Sequence, residues 1–460
     1  MSNPTIEELR SAARGAVIGP DDGGYEGARA VYNAMIDRRP RVIVRPADVA
    51  DVMATVTFAR SAGLELAVRG GAHSVPGFGT VDDGVVLDLS SLKGIRVDPV
   101  TKTVRAQAGC TWGDLDHATH AFGLATTGGI LSTTGIAGLS LGGGIGYLGR
   151  RYGLTCDNLL SADVVTADGR MVTASAKDHE DLFWALRGGG GNFGVVTEFE
   201  YRLHPVKHVY GGPILYDLGR AADVLRWYRE YIAAAPEEQG AFFAFLVAPP
   251  LPFIPEERHG TNVCGIVTCW SGPLEEGERQ TRPFLEDVAP PIGHHTGPMP
   301  YPALQSAFDG LHPPGMQNYW KADFVHELTD DAVQAHVEHG ANVPHVHSTM
   351  HLYPLNGAPQ RVAPDETAFA YRDANIAAVI VGMWPDAADN DRNIRWVRDY
   401  WEAIHPHDAE GGYINFMSGD DQDRIHANYR GNYDRLTAVK AAYDPDNLFH
   451  LNQNIQPSST

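Results

Sequence analysis

Val68-Arg69-Gly70-Gly71-Ala72-His73-Ser74-Val75-Pro76-Gly77-Phe78-Gly79 decides how the rest of this chain reads. It follows Leu64–Val68, an alternating segment that predicts a short strand. Two adjacent glycines then let the backbone turn and approach a neighbour closely. Successive N–H groups in such a turn form a concavity that suits a phosphate. One imidazole, His73, stands at its end, where it can serve as a covalent tether for a bound cofactor. Read alone, the stretch is equally compatible with a glycine-rich hairpin that happens to hold a histidine, because short glycine motifs recur by chance.

The surroundings bear on that choice. The 50 glycines are concentrated at 70–79, 128–146 and 188–194, all in the first half of the chain. The second cluster, Gly128 to Tyr147, is too apolar for a linker and too rich in glycine for an ordinary helix. Its small residues at 135, 138, 142, 143, 144 and 146 leave a surface on which a flat ring system can lie, or a tight strand–helix joint. The third, Arg187-Gly188-Gly189-Gly190-Gly191-Asn192-Phe193-Gly194-Val195-Val196, runs into a strand that Pro205 ends.

Around these clusters the pattern predicts alternating elements. Residues 5–38 read as helix, turn, helix, with Tyr32–Ile36 in the second. Arg41–Arg45 reads as a strand and Ala47–Ala62 as a helix, with Asp48 and Asp51 at its positive dipole end. Strands follow at 84–89, 95–98 and 103–108, a helix capped by Thr111 at 111–122, and a hairpin of 162–167 with 171–174 around Asp168-Gly169. After Pro205 glycine thins out, and aromatic, proline and histidine residues become common. Longer strands are expected at 240–248, 262–269, 322–326, 348–353, 367–371 and 376–383, with helices at 221–234, 330–339 and 389–404. That is an antiparallel sheet covered on one face. A helix over 424–443 precedes a tail in which Asn452, Gln453 and Asn454 bring together amides able to donate and accept at once, as the edge of a heterocycle requires or as turn caps do.

Composition bounds the function. The chain has 460 residues, 43% hydrophobic, and 36 Lys+Arg against 57 Asp+Glu, a formal net charge of −21. Such a surface repels nucleic acid and anionic lipid. Cys110, Cys156, Cys264 and Cys269 form no close pair, so neither a disulfide framework nor a metal site is expected. Met1–Arg10 lacks the basic and apolar regions of a signal peptide, and no apolar run is long enough to span a bilayer, so the expected compartment is the cytoplasm.

Taken together, these motifs resemble the FAD-dependent oxidases with a berberine-bridge-enzyme-like tail, within the vanillyl-alcohol-oxidase (PCMH-type FAD-binding) superfamily. The likeness rests on Val68–Ser74, Thr134–Gly146, Tyr152–Asn158, Gly190–Val196, Tyr413-Ile414-Asn415, Tyr443–Phe449 and Asn452–Asn454, in the family's order. It implies an α+β fold: a PCMH-type FAD-binding domain over 1–205, to which 415–460 returns, a substrate domain over 206–414, and a berberine-like segment over 412–458. It further implies that His73 carries FAD covalently. The backbone of Arg69, Gly70, Gly71, Ala72, Ser74 and Val75, with Gly79, would hold pyrophosphate. Thr134, Gly135, Gly138, Gly142, Gly143 and Gly146 would support the ring and ribityl chain. Gly194 and Val195 would face adenine, and Tyr413, Asn415, Asn452 and Asn454 the flavin side.

Two departures from the family pattern carry information. Leu131 stands where bicovalent members have cysteine, so one covalent link is expected and no cysteinyl bond. Phe416 stands where several members have a tyrosine base, so the proton acceptor must be another residue, or the substrate must need none; Tyr413, Tyr371, Lys321 and His351 are the candidates. Thr134, close to valine in shape, favours access of O2. The expected activity is hydride transfer from an alcohol, phenol, amine or secondary-metabolite C–H, with O2 as final acceptor. A dehydrogenase with another acceptor, and a flavin-binding protein without turnover, remain open.

Overall fold

The computed structural model describes residues 5–458; the outermost ends of the expected domain spans, 1–4 and 459–460, lie outside the described residues. The His73 loop hangs from a four-stranded sheet of order Ala16–Ile18, Val42–Arg45, Val85–Asp88, Leu66–Arg69. Both Val42–Arg45 and Leu66–Arg69 run parallel to Val85–Asp88, which lies between them and is buried along its whole length. This is the continuous apolar strand expected inside a parallel sheet. The helix Val49–Ala62 makes the crossover. Asp48 caps it by accepting from the N–H groups of Ala50 and Asp51, and Gly63, at φ 64°, closes it in the left-handed region.

A five-stranded antiparallel sheet follows, ordered Ile95–Asp98, Thr103–Gln107, Val195–Arg202, Leu159–Val165, Met171–Ser175. The expected hairpin is its edge, with Val165 opposite Met171. Thr111 and Asp114 form the expected reciprocal cap on the helix Trp112–His120.

The second half is built on an antiparallel sheet ordered Gly293–His294, His208–Asp217, Asn262–Trp270, Gln239–Val247, Thr349–Pro354, Ile376–Trp384, Gln317–Val325, with Gly297–Pro300 also pairing to His208–Asp217. Both faces are buried, and period-two alternation sorts the side chains. Phe243, Phe245, Leu352 and Ile380 pack under the helices Ala221–Ala234, Asp330–Gly340 and Asn390–Ile404. Phe242, Ala244, Tyr353, Val379 and Val381 point the other way, into a core shared with Tyr32, Ile145, Tyr147 and Tyr413. The sheet therefore presents one face to its own helices and the other to the glycine-rich half.

Buried polar contacts join the halves. Arg372 forms two hydrogen bonds to the Asp157 carboxylate, at 2.7 and 2.8 Å. Arg150, also buried, donates to the carbonyls of Ile232 and Ala235 at the end of the helix Ala221–Ala234.

Several expected elements differ. Tyr32–Ile36 is not helical: the helix is confined to Tyr25–Arg29, and Asn33 instead bridges to Met316. Residues 367–371 form no strand but an irregular buried segment, whose backbone carbonyls accept from Asn432. The helix expected over 424–443 is broken at Arg430, φ 47°, into Ile425–Tyr429 and Tyr433–Tyr443. The strand His208–Asp217 is an addition to the expected elements, and it carries Gly211-Gly212-Pro213 in its middle.

Candidate functional site

The glycine clusters of the first half meet at one point. A Cβ on Gly71 would lie 2.4 Å from the Gly135 nitrogen, and one on Gly135 would lie 2.4 Å from the Gly71 nitrogen. Only two glycines permit this backbone-to-backbone contact. It brings the His73 loop against the segment that starts the helix Ile136–Leu141.

Beside that contact lies a cavity of about 320 Å³, within the range of ligand sites. Its walls are the His73 loop, residues 129–145 and 190–196, the tail from Phe449 to Gln453, and the inner face of the large sheet. Of the expected cofactor residues, Arg69, Gly70, Gly71, Ala72, His73, Ser74, Val75, Gly79, Leu131, Thr134, Gly135, Gly138, Gly194, Tyr413, Asn415 and Asn452 line it.

Gly142, Gly143, Gly146, Val195 and Asn454 do not. A Cβ on Gly142 would strike Asn415, on Gly143 Phe369, and on Gly146 the Gly128 carbonyl. These three glycines serve close packing within the protein. Val195 is fully buried between Gly194 and Val196, which do reach the wall.

His73 is held in place by its neighbours. Ala72 sits at φ 60°, a left-handed conformation uncommon for a residue with a side chain, and so sets the direction of the chain at His73. The Ala72 carbonyl accepts from the Tyr32 N–H, and the Tyr32 ring stacks on the imidazole at 4.2 Å with an 18° interplanar angle. Burial, then the neighbouring His312, pull the His73 pKa down to about 4, against a hydrogen bond to the Thr133 backbone. The ring is therefore neutral at physiological pH, with a lone pair available for bond formation.

Three observations fit a bound dinucleotide. Among the described residues, the N–H groups of Gly71, Ala72, His73 and Ser74 find no acceptor within the protein. Gly138 and Gly191 open onto the cavity with nothing within 4 Å of where a Cβ would stand, so the wall is flat there. The buried Asn452 Oδ1 and Gln453 Nε2, an acceptor and a donor, have no partner in the protein.

The tail that supplies those amides is pinned firmly. Lys440 and Asp444, both fully buried, pair at 2.6 Å, and Lys440 also donates to the carbonyls of Asn192 and Phe449. Asn192 in turn donates to the Gln453 carbonyl and accepts from the Ile455 N–H. Behind the His73 loop, the buried Arg69 guanidinium donates to Asp88 at 2.7 Å. Burial opposes ionisation of Asp88, but Arg69 and hydrogen bonds from Arg45 and Ser90 outweigh it and hold the pKa below the ordinary carboxylate value.

The four proton-acceptor candidates separate. Lys321 lies on the helix side of its strand, bound to Asp421 at 2.6 Å and Asp420 at 3.2 Å, while its neighbour Trp320 faces the cavity. Tyr371 stacks on Phe324 at 4.3 Å and donates to the Ala427 carbonyl, away from the cavity. Tyr413 reaches the wall, but its hydroxyl accepts from the Gly144 N–H and Asn415 Nδ2, both at 2.7 Å. Both oxygen lone pairs are thereby used. His351 also reaches the wall, and its Nδ1 lies 2.5 Å from the Tyr353 hydroxyl.

Tyr353 was not among the candidates, nor was Tyr32. Two residues from His351 on one strand, Tyr353 shares its face, which is the signal that could have found it. Burial, then His312, pull the His351 pKa down to about 3, and burial pushes the Tyr353 phenol up. Both shifts keep the pair uncharged at rest; in the Nε2–H tautomer Nδ1 accepts the phenol's hydrogen bond, which leaves the phenol oxygen free to accept one from a substrate hydroxyl or amine.

Known proteins share the sequence pattern and the fold. Residues 40–175 match a family model for an FAD binding domain, and residues 412–456 one for "Berberine and berberine like" proteins. An FAD-linked oxidoreductase of Dictyostelium discoideum is 32% identical over 93% of this chain and 91% of its own. The solved structure of 6-hydroxy-D-nicotine oxidase from Arthrobacter nicotinovorans superposes with a TM-score of 0.85 at 27% identity, covering 97% of this chain and 98% of that one. A berberine-bridge-enzyme-like protein of Physcomitrella patens has the same fold, with a TM-score of 0.88 at 24% identity over 99% of this chain and all of the other.

Proposed function

The chain belongs to the FAD-linked oxidoreductases with a berberine-like C-terminal segment, and from that premise we propose that it is an oxidase of a small organic donor, with FAD attached through His73 alone. The observation that carries the reading is the main cavity: the neutral, stacked His73 at one wall, flat glycine walls and unpartnered tail amides around it, and the Tyr353–His351 pair on the sheet face. Bound there, FAD supplies a hydride acceptor that O2 can reoxidise, releasing H2O2.

The chain's own residues do the rest. The free N–H groups of the His73 turn would grip pyrophosphate, and Asn452 and Gln453 would meet the polar edge of the ring. Leu131, on the wall, offers no thiol for a second link. The sheet face would hold the donor beside the bound cofactor, and fixing two reactants in contact is itself a large part of catalysis. Tyr353, backed by His351, takes the hydroxyl or amine proton as the C–H bond breaks. Thr134 leaves room for O2 beside Gly135. The nicotine oxidase named above acts, by its name, on a small molecule, which supports a small organic donor here.

The test uses purified protein and the His73→Ala variant. Yellow colour should remain with wild-type protein through acid precipitation and leave the variant with the supernatant. Protein reduced by dithionite should reoxidise in air with release of H2O2. Colour lost from both proteins would remove the tether, and reoxidation only by an artificial acceptor would make the protein a dehydrogenase.

A further inference from the structure

Resting on the oxidase reading for its reacting end, we propose that the substrate is a donor with an uncharged, apolar arm, and that the arm lies in a second chamber opening from the first. This chamber, of about 70 Å³, shares Ile130, His312 and His351 with the main cavity. It runs from His351 across the inner face of the sheet. Phe242, Ala244 and Leu246, alternate residues of one strand, form its floor, and Leu251 and Phe253 close its far side.

Both hydroxyls on its wall and the Nδ1 atoms of its histidines are already engaged. His347 Nδ1 meets the Leu311 carbonyl at 2.6 Å, and His312 Nδ1 the Phe308 carbonyl at 3.2 Å. The Ser348 hydroxyl donates to the Met383 carbonyl and that of Thr349 to the Phe245 carbonyl. A saccharide placed here would give up hydrogen bonds to water and recover few. A hydrocarbon or aryl group would gain from leaving water, and apolar cavities of this kind take such ligands.

Charge points the same way. Among the described residues lining the two chambers, Arg69 is the sole Asp, Glu, Lys or Arg side chain, and Asp88 with the carbonyls of Ala28 and Ala30 occupies its guanidinium. A carboxylate, a phosphate or a fixed cation on the arm would enter the second chamber, whose described lining holds no Asp, Glu, Lys or Arg side chain, without a counter-charge, and burying an unpaired charge is strongly unfavourable. The arm is therefore uncharged as well as greasy. Ala244 stands directly opposite His351 in the strand register, so its size sets the width of the passage between the chambers.

The experiment titrates FAD-loaded protein calorimetrically with benzyl alcohol, 4-ethylbenzyl alcohol and 4-butylbenzyl alcohol, and with 4-carboxybenzyl alcohol as the charged control. Affinity should rise about fourfold per added methylene, and the carboxylate should bind at least about tenfold more weakly than the ethyl compound. Ala244→Leu should flatten the gradient. Leu251→Gln, in a loop at the chamber rim, should weaken the butyl compound more than the parent and covers the case in which the strand variant does not fold. Equal affinities along the series, a carboxylate that binds as well as the ethyl compound, or no binding of any probe at millimolar concentration would overturn the proposal. Colourless protein that still shows the gradient would remove the oxidase reading and leave the chamber standing.

Discussion

At the scale of the residue, the site divides into what a motif announces and what a strand face hides. His73 is legible because two glycines and a turn precede it and two further glycine clusters follow in the same half of the chain. Tyr353 is not, because its role depends on which way one strand faces, and that is set by its pairing with Gln239–Val247 and Ile376–Trp384. The same parity explains Lys321, which by sequence sits beside Trp320 and in space points to the opposite side of the sheet. If Tyr353 with His351 accepts the donor's proton, Tyr353→Phe should slow flavin reduction by about 10²–10⁴-fold, the usual contribution of a placed acid or base. Anaerobic stopped-flow reduction with a turned-over donor measures this. Flavin content should not change, since the ring stays and only a hydroxyl is lost. A variant that reduces its flavin at the wild-type rate would return the role to Tyr413 or to no base at all.

At the scale of the element, local pattern succeeded where an element carries its own periodicity and caps. The helix Val49–Ala62 announces itself by Asp48 and Gly63, and Ile376–Trp384 by an unbroken apolar run. It failed where tertiary contacts decide. Tyr32–Ile36 has a helical composition, but Tyr32 is drawn to the His73 ring and Asn33 to the carbonyls of Val75 and Asn318. Gly211-Gly212-Pro213 looks like a break, yet Gly211 is there because Thr268 of the next strand passes where a Cβ would be. The tail gives two predictions. Asp444→Ala leaves Lys440 charged and unpaired in a fully buried position, which should cost about 3–5 kcal/mol in a urea titration and loosen the Asn452–Gln453 edge of the site. Loss below about 1 kcal/mol would mean the pair does not anchor the tail. Gly138→Val, by contrast, adds its side chain to open cavity and not to a packed neighbour. It should leave the fold intact by circular dichroism while the protein is purified with little or no flavin; a fully yellow variant would place the ring elsewhere.

At the scale of the whole molecule, the change in composition after Pro205 made two halves legible, but not how they are joined. The joint is made of buried polar residues scattered through the sequence: Arg150, Asp157 with Arg372, and Asp116. Asp116, on the helix Trp112–His120, accepts from Gln305 Nε2 at 3.2 Å on the short helix Tyr301–Gln305 of the other half. Burial pushes its pKa up to about 7, with the Gln305 hydrogen bond pulling only weakly against this. A carboxyl raised in the folded state above its unfolded value binds its proton more tightly when folded. Its favourable contribution is complete below about pH 4 and declines as the pH rises towards 7, where the folded protein must either ionise a buried acid or unfold. Asp116→Asn keeps an acceptor for Gln305 and cannot ionise. The urea midpoint of the variant relative to wild type should therefore climb between about pH 4 and pH 7 and level off above. A difference that stays constant across that window would show that Asp116 does not carry a proton in the folded state, and that the contact between the halves is indifferent to pH at this point.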